Sequence, residues 1–161
     1  MKTAIILAFS LLAGCAYAAD SGPGSGPGGG GGDKKDSKLE AYYAAKDRQD
    51  WNAAAATMQD AVASNPRNAD YHNLYAYALR KGGTSDMNLV FKHYNEALAI
   101  DRKHRGAHEY LGEAYLMVGN VGKAKEHLAE LDRLCTFGCA EFTELKKAIA
   151  SYETTKTAVK Q

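Results

Sequence analysis

Residues 105–134 read RGAHEYLGEAYLMVGNVGKAKEHLAELDRL. Small and apolar residues recur through this stretch at helical spacing, with Leu111-Gly112 and Tyr115 in its first half and Ala124, Leu128 and Leu131 in its second. The last three positions have counterparts upstream. Val90, Tyr94 and Ala97 stand at the same depths in NLVFKHYNEALAIDRKH, and Ala54, Met58 and Ala61 do so in DWNAAAATMQDAVASNPRN. Pro66, Arg102 and Thr136 close the three units at intervals of 36 and 34 residues. A period of this length marks a stacked array, in which one unit cannot bury its apolar face alone and about three give a continuous core.

Period and landmarks together resemble the tetratricopeptide repeat, a helix-turn-helix unit of 34 residues. The third unit carries the resemblance most fully. The second keeps Ala76 at the family's small-residue position and Leu79 one turn later, with two extra residues near Gly82-Gly83-Thr84-Ser85 that predict a longer turn. The first is degenerate, with Tyr42 at the small-residue position, but its second half opens on Asp50-Trp51 and closes at Pro66. The resemblance covers residues 35 to about 135 and implies an all-α, right-handed superhelical solenoid. Its units span about 35–68, 69–104 and 105–138. Ala76 and Gly112 are expected where the two helices of a unit approach closely, and Trp51, Tyr94 and Tyr115 in the wedges between units. Phe142, Leu145, Ile149 and Tyr152 recur on one helical face, which predicts a capping helix over 140–155 and a repeat domain of 38–155.

The chain begins with a short positive start and an apolar run of about ten residues, Ala4 to Ala13, too short for a span that needs roughly 20. It fits the apolar core of a secretory signal. Two processing sites overlap. Ala16-Tyr17-Ala18 predicts cleavage after residue 18, whereas Leu12-Ala13-Gly14-Cys15 resembles the bacterial lipobox, which implies a lipid on Cys15. Both routes predict export to a bacterial periplasm, either soluble or anchored to the outer membrane. Residues 19–37, with SGPGSGPGGGGG at their centre, cannot bury apolar surface and read as a flexible linker. Its end-to-end distance is on the order of 25 Å.

Twenty basic residues against nineteen acidic give no electrostatic reason to expect nucleic acid as a partner. Serines 64, 85 and 151 have no partnered histidine and acid, and the glycine-rich tract lacks the strand, lysine and helix of a phosphate loop. No catalytic constellation, cofactor or metal site is expected. After either processing route Cys135 and Cys139 remain as an even pair, a disulfide candidate in an oxidising compartment. Two other possibilities stay open: free thiols, or a redox or copper site, since a C-x-x-x-C spacing also occurs in copper chaperones. His127 lies two turns before Cys135, roughly 12 Å along a helix, too far for direct co-ligation without a fold-back. His104 and His108 have no third ligand nearby, and both His108 and His72 occupy positions the family gives to aromatics, which predicts packing.

What remains is binding. In tetratricopeptide arrays the first helix of each unit lines a groove. Carried over by position, the groove residues are Leu39, Tyr43 and Lys46, then Asn73, Tyr77 and Arg80, then Glu109, Glu113 and Leu116. Tyr43 and Tyr77 offer rigid contact, Asn73 a bond to a partner's backbone, and Arg80 a contact to a carboxylate. The family's carboxylate clamp is not matched, because Leu39 and Gly106 stand where it needs lysines. The expectation is a scaffold or adaptor for an extended peptide or helix of another protein. The alternative is a thiol-redox or copper-handling accessory protein built on Cys135 and Cys139.

Overall fold

In the computed structural model the described residues, 36–158, form seven helices and no strand. They are α1 (Ser37–Asp47), α2 (Trp51–Ser64), α3 (Ala69–Lys81), α4 (Met87–Ile100), α5 (Arg105–Met117), α6 (Val121–Leu134) and α7 (Ala140–Ala158). The expected signal, Cys15 and most of the expected linker lie outside the described residues. Asp36 and Ser37, placed at the linker's end by sequence, belong to the helical unit.

Short polar side chains start these helices. Asp36, Asp50, Asn68, Asp86 and Asn120 each accept a first-turn backbone N–H, and His104 does the same for α5 through Nδ1. Each bond satisfies a donor that no earlier carbonyl can reach. The Asp36 carboxylate also accepts the Tyr71 hydroxyl at 2.6 Å, which ties the start of α1 to α3. That bond holds the Asp36 carboxyl below its ordinary range.

The three units turn in the same way. The amides of Asp50, Thr84 and Asn120 reach back to the carbonyls of Ala45, Leu79 and Tyr115, each five residues earlier. The residue before each takes a left-handed backbone: Gln49 (φ 57°), Gly83 (φ 75°) and Gly119 (φ 79°). In the first and third units the amide donor is also the N-cap of the next helix. In the second, Ser85 and Asp86 are inserted before α4 begins, which is the two-residue lengthening that the sequence predicts.

Three buried clusters follow one another along the array. The first joins Tyr42, Ala45, Met58, Ala61 and Tyr75, the second Ala76, Val90, Tyr94, Leu111 and Ala114, the third Leu116, Ala124, Leu131, Leu145 and Ile149. Tyr94 is fully buried between α3 and α5, Tyr115 meets Phe91 at a tilt with ring centroids 4.9 Å apart, and Trp51 meets Tyr77 edge-on, so the wedge aromatics sit between units as expected. At Gly112 a Cβ would come 2.6 Å from Leu145 Cδ2, so its tightest approach is to α7. α7 therefore packs on α5 and α6 as the first helix of a further unit would, and it runs three residues beyond the expected 155.

Candidate peptide-binding site

The odd-numbered helices share one face. A cavity of about 280 Å³ opens there, lined by Leu39 and Tyr43 of α1, Asp70, Asn73 and Leu74 of α3, Gly106, Glu109 and Tyr110 of α5, and Glu141 of α7. Four of the nine residues nominated from sequence thus meet around one space: Leu39, Tyr43, Asn73 and Glu109. Tyr43 is 47% exposed and Asn73 only 4%. The Asn73 Oδ1 is buried without a hydrogen-bond partner. Lys46 lies over the Tyr43 ring at 5.7 Å.

Next to the cavity, Arg80 is fully engaged. Its Nη2 donates to Glu113 Oε2 at 2.6 Å and its Nε to the Tyr94 hydroxyl at 3.3 Å, while the guanidinium lies over the rings of Tyr77 and Tyr110 at 5.4 and 5.8 Å. With 9% of its side chain exposed, Arg80 braces α3 against α5 and is already neutralised within the chain. Leu116 needs a correction. It is buried against Leu131, Leu145 and Ile149 because α7 lies across it, so it is a core residue and not a groove residue.

Burial pushes the Glu109 carboxyl up to about 7, and the carboxylates of Glu113, Glu141 and Glu144 add to the effect. Asp70, Leu74, Tyr110 and Glu141 were not foreseen, and Gly106 was placed only as an unmatched clamp position. Asp70 and Gly106 stand three residues before Asn73 and Glu109, so helical periodicity would have found them. Glu141 became visible only once α7 took a first-helix place.

The histidines form two equivalent pairs. His72 Nε2 meets the Pro66 carbonyl at 3.1 Å and its Nδ1 meets His93 Nδ1 at 2.9 Å. His108 repeats this with the Arg102 carbonyl and His127 Nδ1, both at 3.0 Å. His72 and His108 are therefore buried as the sequence predicts, but the partners on α4 and α6 were missed. His104 is separate from His108: it caps α5 and its Nε2 donates to Asp70 at 3.0 Å. Cys135 and Cys139 form a disulfide at the corner between α6 and α7. Among the described residues no three His, Cys, Asp or Glu side chains converge to hold a metal ion.

No family model matches the sequence, and no curated protein matches it. Solved structures do. The first TPR of Spaghetti (RPAP3), bound to the HSP90 peptide SRMEEVD, is 16% identical with a TM-score of 0.62, covering 71% of this chain and 90% of that one. PcrH, in complex with the chaperone binding region of PopD, is 16% identical with a TM-score of 0.61, covering 78% and 92%. The Yersinia enterocolitica type III secretion translocator chaperone SycD is 16% identical with a TM-score of 0.61, covering 81% and 99%. Equivalent turns, helix pairs and these likenesses agree, and the chain has the tetratricopeptide-repeat fold, three helix pairs closed by α7.

Proposed function

We propose that this protein is an interaction scaffold that holds an extended segment of another protein against α1, α3, α5 and α7, and that it binds rather than catalyses. The observation that carries the reading is the cavity on that face, where a half-exposed tyrosine stands beside a buried asparagine carboxamide with an unmet acceptor. Unpaired buried acceptors cost roughly 1–3 kcal/mol, which a partner's N–H removes on binding. The Spaghetti repeat binds the HSP90 peptide and PcrH binds a region of PopD, which supports a peptide-like guest. An acidic tail is the wrong charge here, since Leu39 and Gly106 line the cavity without a lysine. We further propose that the scaffold works outside the cytoplasm, exported by its N-terminal signal and either released or anchored through Cys15.

The test is a peptide array probed with the full chain and with a Tyr43→Ala, Asn73→Ala variant. Neither side chain holds the core together, so the variant should keep its thermal midpoint to within a few degrees and lose about tenfold or more in peptide affinity. Unchanged peptide binding by the folded double variant would sink the reading.

A further inference from the structure

The lining of the cavity is one-sided. Asp70, Glu109 and Glu141 stand around it and no lysine or arginine does. Two of the carboxylates have internal company. Asp70 accepts from His104 at 3.0 Å, and Glu141 has Arg105 at the looser distance of 3.7 Å. Glu109 has no cation within ion-pair distance among the described residues; Arg80 of α3 is held instead by Glu113, one turn after Glu109 on α5. Asn73 adds a buried carboxamide oxygen with no donor. Every unmet need in this cavity is thus for donors and positive charge. The carboxylates do not converge closely enough to hold a metal ion. At about 280 Å³ the cavity also falls at the lower edge of small-molecule sites, which run from about 300 to 1,000 Å³. It suits a single side chain.

We infer that this cavity is a subsite for a lysine or arginine side chain of the bound peptide, with Glu109 as its counter-ion and Asn73 as a further acceptor. The inference rests on the scaffold reading above and names the chemistry of its guest. An ammonium carries three donors and no acceptor and a guanidinium five, which matches an acceptor-lined space. The apolar part of the side chain would lie along Leu39, Leu74 and the Tyr43 ring, as long cationic side chains do on apolar surface.

A second consequence is a proton. Burial first, then Glu113 on α5 and Glu141 and Glu144 on α7, push the Glu109 carboxyl up to about 7, so it is about half ionised at pH 7, while Arg80 on α3 opposes them. α1 contributes only Leu39 and Tyr43 to the lining. Seating a cation against Glu109 favours its ionised form, so binding near pH 7 should release up to about half a proton.

The experiment uses the full chain and the best binder from the peptide array, remade with its basic residue replaced by norleucine and then by glutamate. The expected result is enrichment of Lys or Arg among bound peptides. Norleucine should cost on the order of tenfold in affinity and glutamate more. Glu109→Gln should erase the difference between the basic and the norleucine peptide. Calorimetry near pH 7 in two buffers of different ionisation heat should record up to about half a proton leaving the parent protein and none leaving Glu109→Gln. Bound peptides without a basic residue, or a preference for lysine that survives Glu109→Gln, overturn the subsite and leave the groove reading standing. Binding that survives Tyr43→Ala with Asn73→Ala, or an array that binds no peptide, overturns both.

Discussion

Because a carbonyl can only accept, the His72 Nε2 must donate to Pro66, which leaves its Nδ1 as an acceptor in the neutral ring. The proton shared with His93 then belongs to His93 Nδ1, and the same logic makes His127 the donor to His108. Burial first, and the neighbouring imidazole next, push His93 and His127 down to about 4. The unfolded rings titrate near 6.5, so as pH falls the unfolded chain takes up protons first. The stability from these rings is complete above about 6.5 and is lost as pH falls toward 4. With partial solvent access allowed for, the loss is on the order of 1–2 kcal/mol per ring. Glu109, raised above its ordinary value, works in the opposite sense over part of the window, so the parent must be compared with variants. Urea midpoints measured from pH 7 to 4 should fall less steeply in a His93→Gln, His127→Gln protein, and equal slopes would refute the assignment. Gln49 offers a second residue-scale prediction. It occupies the left-handed turn position that glycine fills in the other two units. Gln49→Gly should stabilise the chain by about 0.5–1 kcal/mol, visible as a higher denaturant midpoint with unchanged slope.

At the scale of the element, α7 is best understood through its contact with Gly112. The missing side chain lets Leu145 sit directly on α5, where both Leu145 methyls lie within 2.7 Å of the position a Cβ would take. Leu145 is fully buried, so it has little room to rotate away. Gly112→Ala gains helix propensity worth about 1 kcal/mol but overpacks this contact, which costs typically 1–3 kcal/mol. A net destabilisation is expected, registered as a lower melting temperature. In a Leu145→Ala background the same substitution should become neutral or stabilising, and a double-mutant cycle with no coupling would disprove the direct contact. The Cys135–Cys139 bridge closes a ring too small to constrain much of the unfolded chain, about 2 kcal/mol by loop entropy, so it acts on the corner leading into α7 more than on the array.

For the molecule as a whole, the repeat architecture was legible because its signals lie along one dimension: spacing, small residues and the two extra residues near Gly82-Gly83-Thr84-Ser85. The site was legible only in part. Leu39, Tyr43, Asn73 and Glu109 meet because repeat position fixes which way a first-helix side chain faces. Leu116 obeys the same position yet is buried, since α7 covers the third unit. Arg80 pairs with Glu113, His72 with His93 and His108 with His127, pairings between helices that spacing within either helix cannot reveal. Glu141 was hidden for a related reason: a capping helix read only for its apolar face shows nothing of what its polar face joins.

The cavity draws a wall from each of α1, α3, α5 and α7, whereas the helices themselves touch only near neighbours in the array. Arrays with neighbour-only contacts come apart from their ends, each unit loosening nearly independently of the far one. A guest seated in that cavity touches the first helix and the last at once, and its departure is required before either can leave. Under the proposed function occupancy would act as a through-bolt: the free protein would loosen from its ends, while the loaded one would yield as a single block.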